Sequence, residues 1–392
     1  MNRNIEKILD KIIIKEPYLH FEKRGCQLDS ELLDYAADII YNKIVNTVES
    51  LCILGSSGLA LGIYVSIKSN LPTYFYCSRG WPETQDHKTY YIFPIVKENR
   101  KEEKSKTTIL IDSHFRTSNT WGACEKYLRR YKLLDPIAIG FLFNPDLNEG
   151  RKDSVLNVIY VIKASKYIEK IIGPDNSDEI GKILNPTSKF WDETLPELEI
   201  IEREKQYLSR ILLEFQKKGE MPKFRLITKD KSIHTRLSRI PITDPGIWEI
   251  FMDHGLLKDL CNEIISAGFI NNVGYLIGIS YLGSAFAYYL SYFLLQKGIN
   301  VRVYNSYDTP ALLPYQKEYF PDNKDIFLCQ VRLTTGLWAY NALSKIDCQH
   351  SNEINLLSIR TNLKIENERR KRPLYQLERF GVNNFLTFFF EK

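Results

Sequence analysis

The sequence predicts an α/β protein built from two tandem domains, residues 1–170 and 223–392, each with a mostly parallel sheet flanked by helices, joined by a helical linker over 171–222. Three observations carry that expectation. Apolar runs of strand length repeatedly end in loops of small or hydroxyl-bearing residues that open helices, and such βαβ units force parallel pairing. The same succession of elements recurs about 220 residues later, Val273 standing against Ile53. Between the copies, Pro174, Pro186 and Pro196 cut the chain into short pieces before Leu198, Ile201, Leu208, Ile211, Leu212 and Phe215 recur at helical spacing.

The first copy opens with a helix, because Leu32, Leu33, Ala36, Ile39, Ile40 and Ile44 form an apolar stripe. CILGSSGLALGIYVSI (52–67) reads as a buried strand, a loop of Gly55, Ser56, Ser57 and Gly58, and a helix. LPTYFYCSRGWPETQDHKTYYIFP (71–94) supplies a further strand and a long polar excursion. TTILIDSHFRTSNTWGACEKYLRRYK (107–132) runs from apolar Ile109–Ile111 into Asp112, through Thr117, Ser118, Asn119 and Thr120, and into another helix.

Those two junctions point to phosphate chemistry. A helix start collects unpaired backbone N–H groups and the positive end of the helix dipole, so small hydroxyl side chains beside it can wrap a phosphate without crowding it. Glycines at 55 and 58 let backbone amides approach a pyrophosphate closely. Asp112, at a strand end, would face a sugar or a metal attached to the phosphate. An ordinary strand–turn–helix with Ser and Thr as N-caps produces the same pattern, so the residues alone leave both readings open.

The loop at 112–120 resembles the phosphoribosyl-pyrophosphate (PRPP) signature of type I phosphoribosyltransferases, in which a hydrophobic strand meets two acids and a Thr- and Gly-rich phosphate loop. Asp112 matches the first acid, Ser113 replaces the second, and Thr117, Ser118, Asn119 and Thr120 occupy the 5-phosphate loop. Over residues 19–148 the order of elements is most similar to orotate phosphoribosyltransferases, in which a strand ends in basic residues and a mobile hood carries Lys and His. Arg79, His87 and Lys88 fall in comparable places. The resemblance implies pyrophosphate on Gly55, Ser56, Ser57 and Gly58, catalysis through Asp112, Arg79, His87 and Lys88, Mg²⁺ brought by the substrate, and a hood that closes to exclude water. It implies no metal site built from protein ligands.

The second copy departs from that chemistry. Gln330 and Val331 replace the acidic pair, Leu337 and Trp338 follow Thr334, Thr335 and Gly336, and Asn305 with Ser306 replace the basic strand end. A Trp would crowd a phosphate, and no carboxylate remains for ribose or Mg²⁺. This copy reads as a degenerate partner of the first.

Composition bounds the rest. The 392 residues, 44% of them hydrophobic, suffice for two domains with large cores. No apolar stretch approaches a membrane span, and the amino terminus lacks a secretory layout, so a cytoplasmic protein is expected. Seven cysteines without metal-finger spacing suit reduced thiols. Of six histidines, His87 is the better functional candidate, while His114, two residues past Asp112, is read as structural. A net charge of +5 is modest, so nucleic acid is expected only through a partner or the basic run at 366–373. The tail RPLYQLERFGVNNFLTFFFEK (372–392) ends in an aromatic apolar run that is expected to be buried as an added strand or against a partner. Three readings follow: a PRPP- or nucleotide-binding transferase acting at the anomeric carbon; a sensor that kept the pocket and lost catalysis; or a toxin or effector held by a protein partner, as among the phosphoribosyltransferase-like proteins of bacterial retron-type anti-phage systems.

Overall fold

The computed structural model describes residues 30–55, 58–78, 90–93, 106–114, 119–130, 133–144, 156–163, 222–241, 247–305, 318–319, 324–334, 336–344, 346–347, 353–362, 374, 377–378 and 381–391. The chain forms two compact units, one of Met1–Glu193 with Thr243–His254 and one of Thr194–Ile242 with Gly255–Lys392. The helix expected over 197–218 lies outside the described residues, as does nearly all of the linker.

In the first unit the order is α1 (Ser30–Ile44), β1 (Ser50–Leu54), α2 (Leu59–Ser69), β2 (Thr73–Ser78), β3 (Tyr90–Phe93), β4 (Thr107–His114), α3 (Asn119–Arg130), β5 (Asp135–Asn144) and β6 (Asn157–Lys163). The sheet runs β3-β2-β1-β4-β5-β6. All neighbours pair parallel except β3, an antiparallel edge on β2. Parallel strands are buried on both faces, which explains why SLCIL in β1 is continuously apolar after its serine and buried at every residue. On one face Cys52, Leu54 and Leu110 pack with Trp121, Cys124 and Leu128 of α3. Burying each large aliphatic or aromatic side chain there contributes roughly 1.5–3 kcal/mol. Helix α1 buries Leu32, Leu33, Ala36, Ala37, Ile40 and Ile44, so its stripe turns toward Ala37, and Ile39 is only half-buried.

A third piece completes this unit. The sequence groups residues 243–254 with the carboxyl-terminal domain, yet the 3-10 helix Trp248–Met252 packs with the first unit. Phe75 of β2 lies between Trp248 and Phe251, with ring centroids 5.2 and 5.5 Å away. His254 donates from Nε2 to the Leu71 carbonyl at 3.0 Å. Burial lowers the His254 pKa below its ordinary 6.5, against the opposing pulls of that carbonyl and of Asp253.

The second unit contains β7 (Phe224–Leu226), α4 (Lys231–Arg239), α5 (His254–Ser266), β8 (Val273–Gly278), α6 (Ser280–Leu295), β9 (Arg302–Asn305), β10 (Glu318–Tyr319), β11 (Asp325–Leu333), α7 (Leu337–Ser344), β12 (Ile346–Asp347), β13 (Ile354–Thr361) and β14 (Val382–Phe390). Its main sheet runs β7-β14-β13-β11-β8-β9, parallel throughout, and β10 pairs with β12 separately. The aromatic tail is thus an added strand, β14, lying between β13 and β7. Helix α4 is capped by Asp230, whose Oδ1 accepts the Ser232 N–H at 2.7 Å. Helix α6 is apolar around most of its circumference because it is buried, with ten of its residues inaccessible. Reading β9-β8-β11-β13-β14 against β2-β1-β4-β5-β6, both units hold the same strand order with a helix after each of the two central strands.

Candidate functional site

In both sheets the chain winds outward in opposite directions from two adjacent central strands. Ligands of open α/β sheets bind in the crevice outside the carboxyl ends of such strands, where the winding reverses. In the first unit that place lies between β1 and β4.

Backbone geometry there is dictated by two glycines. Gly55 follows β1 at φ +55, in the left-handed region that glycine occupies without a Cβ penalty, and its N–H donates to the Tyr76 carbonyl at 2.8 Å. Gly58, the N-cap of α2, lies so close to β4 that an added Cβ would stand 2.3 Å from the Ile111 carbonyl oxygen and 2.8 Å from that of Leu54. Its own N–H donates to Leu54 at 3.1 Å, and its carbonyl accepts from Gly62 at 2.8 Å. The N-cap residue of α2, a glycine, has no side chain to cap the helix, and no acid occupies its first turn. The leading N–H groups of α2 therefore open at the crevice with the positive end of the dipole.

Asp112 is the residue after Ile111, so the close approach at Gly58 brings the α2 N-terminus to the strand end that carries the carboxylate. Asp112 is 8% exposed and pairs in register with Phe141 of β5. Helix α3 begins at Asn119, five residues after β4 ends. The structure thus brings together Gly55, Gly58 and Asp112, and sets the backbone of Asn119 and Thr120 at the start of the next helix. Arg79, His87, Lys88, Ser56, Ser57, Thr117 and Ser118 lie outside the described residues, as do the side chains of Asn119, Thr120 and His114. Cys52 and Cys124 are fully buried behind the site, and burial first, then the neighbouring Cys52, pushes the Cys124 thiol well up, which leaves it unsuited to nucleophilic work. Among the described residues no three His, Cys, Asp or Glu side chains cluster as a metal site. Among the described residues one carboxylate, Asp112, stands beside this helix start, and such an arrangement suits Mg²⁺ only when most of its oxygens come from a bound phosphate.

The equivalent place in the second unit repeats the backbone and changes the chemistry. Ser280 occupies the position of Gly55 at φ +65, a left-handed conformation unusual for a non-glycine residue. An added Cβ on Gly283 would stand 2.4 Å from the Cys329 carbonyl, as Gly58 does with Ile111. The next residue, in the place of Asp112, is Gln330, also 8% exposed, with its Oε1 buried and lacking a hydrogen-bond partner. Gly336 takes φ +74 before α7, and Trp338, expected to crowd this place, stands 44% exposed. The left-handed Ser280 was not visible in the sequence, because nothing in GISYLG (278–283) marks a turn residue where a serine takes glycine's conformation.

The fold defines a doubly wound α/β protein in which a helix start and a buried carboxylate meet at the winding reversal of its first sheet. No family model matches the chain, and no curated protein does. Among solved structures it is similar to an adenine phosphoribosyltransferase from Thermoanaerobacter pseudethanolicus, at 15% identity and TM-score 0.27, over 33% of this chain and 79% of that one. It is likewise similar to an orotate phosphoribosyltransferase from Aeropyrum pernix, at 14% identity and TM-score 0.28, over 36% of this chain and 75% of the other. An adenine phosphoribosyltransferase from Trypanosoma brucei, in complex with AMP, pyrophosphate and ribose-5-phosphate, matches at 13% identity and TM-score 0.28, over 37% of this chain and 68% of that one. Among the described residues no helix is long and apolar enough to cross a membrane.

Proposed function

We propose that the first unit binds a phosphorylated ribose of the PRPP type at the carboxyl ends of β1 and β4. The observation that carries this reading is the seating of Gly58 on the Ile111 carbonyl, which sets a helix start with a glycine N-cap beside the buried Asp112 at the reversal of the sheet. Backbone amides of the Gly55–Gly58 loop would hold the pyrophosphate, and Thr117, Ser118, Asn119 and Thr120 the 5-phosphate. Asp112 would orient the ribose hydroxyls or the Mg²⁺ that arrives with the pyrophosphate. Magnesium would supply neutralisation of the leaving group's charge. Arg79, His87 and Lys88 would close over the ligand and exclude water, so that the anomeric carbon is attacked by the intended nucleophile.

The shared strand order and the matched Gly58/Ile111/Asp112 and Gly283/Cys329/Gln330 positions support a tandem duplication whose second copy no longer binds the phosphosugar. Ser113, where the signature has a second acid, favours a second reading in which the first unit binds without turnover, as a sensor or as an effector held by a partner. A ligand panel read by thermal unfolding separates these: PRPP, nucleotides and nucleobases, each with and without Mg²⁺, followed by an assay for pyrophosphate release. A shift with PRPP together with release supports transfer. A shift without release, with release gained in Ser113→Asp, supports the sensor or effector reading. No shift with PRPP or any nucleotide rejects both.

A further inference from the structure

The carboxyl ends of β11, β13 and β14 hold a charge cluster that the chemistry above does not use. Arg332 grips Glu391, just past β14, with Nε 3.0 Å from Oε1 and Nη2 3.0 Å from Oε2. Arg360, paired in register with Arg332, sets its Nε 3.1 Å from Glu391 Oε1, donates from Nη1 to the Ile240 carbonyl at 2.7 Å, and stacks 5.5 Å over the Phe389 ring. The side chains of Glu391 and Arg360 are 0% and 2% exposed, whereas that of Arg332 is 27% exposed. In the first unit the equivalent register pair is His114 with Phe143, so this cluster belongs to the second unit alone.

Two guanidinium groups share one carboxylate. Among the described residues one positive charge is therefore left over in a largely dehydrated place, and an unbalanced buried charge is costly unless a counter-ion completes it. Arg360 carries the mark of that imbalance: its Nε is buried without a well-formed hydrogen bond, and burial, reinforced by Arg332 and opposed by Glu391, lowers its pKa. Among the described residues nothing accepts from Arg332 Nη1, whose side chain is the part of the cluster that reaches solvent. An arginine fork matches the paired oxygens of a carboxylate or phosphate.

We propose that Arg332, Arg360 and Glu391 form a binding site for a small oxyanion, which docks on the exposed side of Arg332 and balances the second guanidinium. The site is independent of the crevice in the first unit and of what that crevice binds. Its test is isothermal titration of the full chain with inorganic phosphate and, separately, with succinate, at an ionic strength held constant with chloride, for the parent and for Arg332→Gln. The parent is expected to bind one more equivalent of at least one of the two anions than the variant, and that anion raises the parent's Tm more than it raises the variant's. Phosphate retained by Arg332→Gln would report the first unit, so failure of one site does not mimic failure of the other. Equal stoichiometry and affinity in both proteins, or a parent response no larger than chloride gives, overturns the proposal. Should Arg332→Gln not fold, Arg332→Lys keeps the charge and loses the fork: binding at least tenfold weaker is expected, and unchanged binding overturns the proposal.

Discussion

At the scale of single residues, the crevice of the first unit depends on one glycine for space, Gly58, and on another for backbone conformation, Gly55. Gly58→Ala puts a methyl where the Ile111 carbonyl oxygen stands 2.3 Å away, and backbone cannot yield as a flexible side chain would. The variant is expected to lose about 1–3 kcal/mol of stability, read by chemical denaturation, and to lose phosphosugar binding with it. Gly55→Ala, with nothing within 4 Å of its Cβ but a left-handed φ, should cost about 1 kcal/mol and perturb binding less. Asp112→Asn, nearly isosteric, should leave the unfolding midpoint within a few degrees of the parent while abolishing any Mg²⁺-dependent binding. The sequence singled out Gly55, Gly58 and Asp112 because a strand that ends in small residues before a helix can seat an anion, although an ordinary strand–turn–helix carries the same pattern. It did not reveal that Gly58 is required by a neighbouring strand's carbonyl, since that contact joins residues far apart in the chain. Nor did it reveal the Arg332–Glu391–Arg360 cluster, whose members are scattered over three segments and carry no motif.

Among the elements, β1, α2, β4, α3 and their later counterparts were readable from apolar runs that switch period at a polar loop. The tail strand β14 was readable as a run that must be buried, either as an added strand or against a partner, and the sheet decides for the strand. The segment Trp248–Met252 was misplaced, because its apolar residues fit an amphipathic opening of the second domain equally well, and only the aromatic fit to Phe75 decides its partner. Phe75 is wholly buried, so Phe75→Ala should cost about 3–5 kcal/mol and release this segment, measurable as faster amide exchange over residues 247–252. The same contact should respond to pH. His254 in the folded chain binds its proton less readily than its ordinary value of 6.5, so the unfolded state takes up more protons as pH falls through that value. Its contribution is fully present above about pH 6.5 and is lost as the pH drops through the lowered folded value. Denaturation midpoints between pH 7.5 and 5 should decline more steeply for the parent than for His254→Gln; parallel curves would remove His254 as the cause.

At the scale of the whole molecule, two units share one winding and differ in the residue after a matched carbonyl, Asp112 in one and Gln330 in the other. A carboxylate can orient ribose hydroxyls or a phosphate-bound Mg²⁺, and a neutral amide cannot replace that charge. The units are therefore expected to differ in ligand, and the difference should follow this one position. Calorimetric titration of the full chain with PRPP in the presence of Mg²⁺, for the parent and for Asp112→Asn, tests this most directly. The account predicts one PRPP per parent chain, stabilisation of about 2.7 kcal/mol at a hundredfold excess over Kd, and loss of both in Asp112→Asn with the fold intact. Two equivalents per chain, or undiminished binding by Asp112→Asn, would contradict it.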